Sequence, residues 1–137
     1  MSKLRFDAQD LRLDLPAPGF YPAQIKSARF RCSANGNRML QVVFTVAEVS
    51  ASYGHLSEYF VLEGGTAFGL AMTRRRLVNL YLAAGQKPQP GDEISAGDLV
   101  GAQVEVELAH DRWQGQPRLQ VIGHRPRQDA GGGPVPF

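Results

Sequence analysis

A chain of 137 residues with 43% apolar side chains is long enough to bury one core and short for two, so one domain is expected. Its net charge of +2 is too small to point to a polyanion by itself, and its one cysteine, Cys32, excludes an internal disulfide and any zinc site built on paired cysteines. In residues 1–19 the charges Lys3, Arg5, Asp7, Asp10, Arg12 and Asp14 break any apolar stretch long enough for a leader or a membrane span. A soluble, cytoplasmic protein with no membrane partner is the expectation.

Residues 20–31 form the first strand-like run. Asn35-Gly36, inside the polar stretch 33–37, supplies the positive φ angles of a tight hairpin. The second run, 38–49, alternates: Leu40, Val42, Phe44 and Val46 share one face, and Met39, Gln41, Val43 and Thr45 the other. A third run covers 55–63. From 66 to 84 the period changes to a helical one, with Leu70, Leu77, Leu80, Tyr81 and Ala84 on one side, Thr66 as the cap and Gly85 as the stop. Arg74, Arg75 and Arg76 spread over about 200° of that helix, which predicts a solvated outer face with one arginine packing its stem. Residues 87–97 are a Pro/Gly/acid linker, and 96–101 a short turn. Strand 4, 102–109, sets Val104, Val106 and Leu108 against Gln103, Glu105 and Glu107. A polar connection at 111–117 leads to strand 5, 118–124.

This β-β-β-α-β-β order is that of the OB-fold, a mainly β, five-stranded, partly open barrel with one helix between strands 3 and 4. Such barrels commonly hold oligonucleotides across one face. The expected division is an N-terminal extension at 1–19, the barrel at 20–127 and a flexible tail at 128–137. The charges are sorted along it. Residues 20–40 carry Lys26, Arg29, Arg31 and Arg38 with no acid, whereas 41–65 carry Glu48, Glu58 and Glu63 with no lysine or arginine. Residues 110–127 hold Arg112, Arg118, Arg125 and Arg127 against Asp111 alone. If the connection between strands 4 and 5 lies near that between 1 and 2, the two basic stretches form one groove.

Catalytic constellations are missing from the pattern. His55, His110 and His124 fall in different elements without metal-ligand spacing and are expected at the surface, and Gly64-Gly65 lacks the lysine of a phosphate loop. The expectation is a non-enzyme without cofactor or metal. Binding chemistry is better represented, because single strands are held by cations on phosphates and aromatic rings on bases. Arg29, Arg31, Arg38, Arg112 and Arg118 are the candidate phosphate contacts, and Tyr53 and Trp113 the candidate stacking rings. Trp113, in the polar stretch 111–116, could instead cap the barrel end. Phe30 and Phe60 are expected in the core, and Tyr59 and Phe60 point to opposite faces. The alternative is a protein-interaction module with no nucleic-acid binding; an oligosaccharide-binding barrel comes third.

After Arg127 the chain turns glycine-rich and closes on Pro134-Val135-Pro136-Phe137. The architecture with this ending resembles the bacterial single-stranded DNA-binding protein family, whose members join an OB-fold to a Gly/Pro-rich tail with an acidic stretch and Pro-Phe. Only Pro136-Phe137 match that tip residue for residue, and Asp129 stands alone where the family is acidic. The body, 19–126, also resembles small phage and mobile-element proteins found beside recombination genes. The matching motifs are Gly19-Phe20-Tyr21-Pro22, Arg75-Arg76-Leu77, Asp98-Leu99-Val100-Gly101 and Val104-Glu105-Val106. The resemblance implies single-stranded DNA as ligand and a role in replication or recombination. It also implies a homo-oligomer, and partner proteins recruited through Pro136 and Phe137.

Overall fold

Hydrophobic alternation and turn chemistry build the first hairpin. The computed structural model describes residues 15–127, and in it β1 (Gly19–Cys32) pairs antiparallel with β2 (Arg38–Val46). Gly36 takes φ 83°, a conformation that costs glycine nothing, and the Ser33 amide donates to the Asn37 carbonyl at 2.8 Å to close the turn. Leu40, Val42, Phe44 and Val46 are all buried, as the alternation requires. Pairing passes from Ile25↔Phe44 to Ser27↔Val43, so Lys26 forms a β-bulge. One extra residue reverses the parity of everything after it. Ala23 and Ile25 face inward before the bulge, Ala28 and Phe30 pack on the core after it, and Arg29 and Arg31 are exposed.

A one-turn helix α1 (Ser50–Tyr53) links β2 to β3 (Leu56–Val61), which pairs antiparallel with β2. Next comes α2 (Ala67–Ala83), the helix between strands 3 and 4. Thr66 Oγ1 accepts from the Gly69 amide at 3.0 Å. At the other end Gly85, at φ 89°, donates to Leu82 O, and the Gln86 amide donates to Tyr81 O at 2.9 Å, a Schellman stop. A 3-10 turn (Ala96–Leu99) then leads into β4 (Gln103–Trp113) and β5 (Gln116–Pro126). The stretch expected as a loop at 111–117 is therefore mostly strand. Gln114 and Gly115, at φ 52° and 80°, reverse the chain in two residues, which lets the ladder run to Trp113↔Gln116.

The sheet order is β3-β2-β1-β4-β5, all antiparallel. β1 serves both halves: residues 23–32 pair with β2 and 19–24 with β4. Ile25, Leu40, Phe44, Phe60, Val104, Val106 and Leu108 meet Leu77, Leu80 and Tyr81 of α2 in one core. Burial of each large apolar side chain contributes about 1.5–3 kcal/mol. No backbone ladder joins the outer strands β3 and β5, so the sheet does not close into a barrel.

Side chains span that seam instead. His124 of β5 donates from Nε2 to Glu58 Oε1 of β3 at 2.6 Å, with both side chains buried. The His124 ring stacks against Phe44 at 6.0 Å between centroids and lies 6.2 Å from Phe60. Arg76 of α2 reaches Glu58 Oε2 at 3.5 Å. His124, expected at the surface, is thus a core residue. The cause is a second bulge: pairing steps from Leu108↔Val121 to Glu107↔Gly123, which sets His124 opposite inward-facing Val106. Of the arginine run, Arg74 and Arg75 are exposed, and Arg76 packs its guanidinium 4.8 Å from the Phe60 ring centre. Among the described residues no helix is long and apolar enough to cross a membrane.

Candidate nucleic-acid interface

The outer face of β1, β2 and β3 carries a cross-strand row. Register sets Arg29 beside Gln41 and Gln41 beside Tyr59. Arg31 Nη1 donates to Gln41 Oε1 at 2.8 Å, and Gln41 Nε2 donates to Tyr59 Oη at 3.2 Å and Ser57 Oγ at 3.4 Å. Gln41 is buried beneath these partners, whereas the Tyr59 side chain stays 47% exposed. An amide on the middle strand therefore holds a cation on one side and an aromatic ring on the other. Further along the face, Lys26 Nζ donates to His55 Nε2 at 3.1 Å, which leaves His55 Nδ1–H to donate to Thr45 Oγ1 at 3.1 Å.

Tyr59 also borders the open seam. A groove of about 400 Å³ runs there between Ser57, Glu58 and Tyr59 of β3, Arg76 of α2, and residues 118–122 of β5. Arg76 Nη2 donates to the Tyr59 carbonyl at 3.2 Å and so stands over the edge of β3. Arg118 lines the opposite wall and donates from Nη2 to Asp111 Oδ2 at 3.1 Å. The Arg112 backbone N–H, and then the Arg118 guanidinium, hold the Asp111 carboxyl below its usual range. The Arg118 guanidinium is thus held by the Asp111 carboxylate through Nη2 at the rim of the groove. The surface carries Arg29 and Arg31, with Arg76 and Arg118 paired to Glu58 and Asp111, and one half-exposed ring among them.

Some residues expected at the site from sequence lie elsewhere. Arg38 shares the inward parity of Leu40, and its guanidinium sits 4.5 Å over the Phe30 ring. It lines a separate cavity of about 760 Å³ with Glu63, Arg74, Asp92 and Glu93. Arg112 folds onto its own turn, Nη1 donating to Gly115 O at 3.2 Å. Tyr53 stands in α1, at the end of the β2–β3 pair away from the 33–37 turn. Trp113 ends β4 opposite Gln116, and its side chain lies outside what the structure describes, as do Pro136 and Phe137.

The two hairpin connections leave β1 at opposite ends. β4 pairs with residues 19–24 and runs on beyond Gly19, while the β1–β2 turn follows Cys32. The basic stretches therefore meet along β3 rather than loop to loop: Arg31 reaches Tyr59 through Gln41, and Arg118 shares the seam groove with it. Gln41, Tyr59 and Arg76 were not among the expected site residues. The outward parity of Tyr59, opposite Phe60, was the available signal for it. No protein-family model matches the chain, and no curated protein matches it as a relative.

Proposed function

We propose that this chain is a non-catalytic single-stranded DNA-binding protein on an OB-fold, acting in replication or recombination. The observation that carries the reading is Tyr59. It is a half-exposed ring anchored through Gln41 to Arg31, and it borders a groove with Arg76 and Arg118 on its walls. Bases stack on such rings for about 1–3 kcal/mol each, and flanking guanidinium groups follow the phosphates. Neither contact needs a particular base, so the site suits a strand of mixed sequence.

The sheet order supports the OB-fold reading. A five-stranded OB barrel opened between strands 3 and 5 has the order β3-β2-β1-β4-β5 and places its helix after β3. The His124–Glu58 bridge lies where such a barrel would close. In this reading Tyr59 stacks, Arg29, Arg31 and Arg118 bind phosphates, and Arg112, Trp113 and Tyr53 extend the path at the edges. The family resemblance adds a homo-oligomer and recruitment of other replication or recombination proteins through Pro136 and Phe137.

Fluorescence anisotropy of labelled oligo-dT at several salt concentrations tests the proposal. Phosphate contacts at Arg29, Arg31 and Arg118 predict a log–log salt slope of about −2, from about −0.7 for each of the three. Arg31→Glu should lower affinity and flatten that slope. Absent or salt-insensitive binding would favour the interaction-module reading.

A further inference from the structure

α2 carries two apolar faces. Leu77, Leu80, Tyr81 and Ala83 bury one of them in the core. On the other side Phe68 is 76% exposed, and Met72, Val78 and Leu82 are exposed as well. At 100° per residue these four fall within about 120° of the helix circumference, along a helix about 25 Å long. Single exposed apolar residues are ordinary, but four on one helix face, here interrupted by Arg75 and Asn79 and with Val78 also lining the Arg38 cavity, mark a candidate contact surface.

Arg75 lies at the centre of this stripe. Val78 and Leu82 flank it on one side, Phe68 and Met72 on the other. Among the described residues nothing forms an ion pair or hydrogen bond with its guanidinium, and α2 contains no acidic residue. We propose that the stripe is a docking surface for an acidic amphipathic helix of another protein. Apolar side chains of that helix cover Phe68, Met72, Val78 and Leu82, and one of its carboxylates meets Arg75.

Charge selects this occupant over two others. A second copy packed antiparallel about Arg75 would match Phe68 to Leu82 and Met72 to Val78, which suits the apolar groups. The same axis sets Arg75 against its own copy, with Arg74 and Arg76 beside it and no carboxylate on either helix. A lipid surface is disfavoured by position. Helices lying in a membrane interface keep their cations at the rim of the apolar face, where the stems reach headgroups, whereas Arg75 would be the most deeply immersed side chain. A partner with a carboxylate between apolar anchors satisfies both groups at once.

The test uses a fluorescein-labelled helical peptide of about 18 residues, with leucines at i, i+4, i+7 and i+11 and glutamates beside them. The full chain is titrated against it, and against the same peptide with lysine at every glutamate. The glutamate peptide should bind at least about tenfold tighter, and Arg75→Glu should reverse the preference. Phe68→Ser and Leu82→Ser should each weaken the glutamate peptide about tenfold with melting temperature unchanged, because both side chains are solvent-exposed. Equal or absent binding of the two peptides overturns the proposal. So does a dimer in sedimentation equilibrium that Phe68→Ser dissolves, which would assign the stripe to a second copy. Flotation with phosphatidylglycerol vesicles that depends on Phe68 would likewise overturn it in favour of lipid.

Discussion

Gln41 shows how one side chain organises a surface. It stands on the outward parity of β2, yet it is buried because Arg31, Ser57 and Tyr59 close over its amide. The amide oxygen accepts from a guanidinium and both N–H groups donate to hydroxyls, so ring and cation are held before any ligand arrives. Pre-ordered side chains lose less entropy on binding. Tyr59→Ala should therefore cost about 1–3 kcal/mol of oligo-dT affinity with little change in melting temperature. Anisotropy titration beside a thermal melt checks it, and a large fall in melting temperature would show that the ring is structural.

Tyr81 gives a second residue-scale prediction. Burial, and then the Asp98 carboxylate, push its phenol above the ordinary 10.0. The phenol donates to the Ser95 carbonyl at 2.8 Å and ties α2 to the segment that leads into β4. A folded-state value above the unfolded one means that its contribution is complete below pH 10.0 and is lost as pH rises through the folded value. Tyr81→Phe should lower stability by about 1 kcal/mol near neutrality. The gap between wild type and variant should close in strongly alkaline buffer, as denaturant melts across pH would record.

At the scale of elements the two bulges decide more than the strands do. If Lys26 took a place in the ladder instead of bulging out of it, the parity of Ala23 and Ile25 would carry Arg29 and Arg31 into the core and Phe30 into solvent. Burying two unpaired guanidinium groups is incompatible with a stability of about 5–15 kcal/mol. Deleting Lys26 should therefore leave a cooperative melt, because Ser27, Ala28 and Arg29 then follow Ile25 on a regular ladder with their present partners, whereas deleting Lys26 and Ser27 together reverses the parity and should abolish folding. Circular dichroism melts of the two variants check this, and loss of folding on the single deletion would show that the bulge itself is required. The helix ends follow local rules, with a threonine cap and a Schellman glycine that need no tertiary help.

For the molecule as a whole, the seam between β3 and β5 is the weak line. Its edges are unpaired along the backbone and are held by His124, Glu58, Arg76 and the rings of Phe44 and Phe60. His124→Ala removes a buried ring and one of the carboxylate's partners, so it should cost about 3 kcal/mol or more. Glu58→Ala added to it should cost less than the sum of the single losses, because the two groups share one hydrogen bond. Urea denaturation of the four proteins in that cycle measures the coupling. Additive losses would show that the bridge does not hold the seam.

The sequence by itself determined the order of the strands and of the helix between strands 3 and 4, the hairpin turn at Gly36, both ends of α2 and the inward rows of β2 and β4. Each of these rests on side-chain period or on one residue's backbone preference, which are properties of neighbours along the chain. It also placed Tyr59 and Phe60 on opposite faces and assigned a single packed stem to the arginine run. Only the tertiary structure decided the rest. The bulges at Lys26 and after Val121 arise from pairing between strands, and they re-aimed Arg29, Arg31 and His124 in ways that strict alternation could not forecast. Arg38 left the candidate site because its parity turned it toward Phe30, and Gln41 joined because partners from two other strands converged on it. The sheet stayed open because side chains, rather than a backbone ladder, meet between β3 and β5. Contacts of that kind join residues as far apart as Glu58 and His124, where no local pattern connects them.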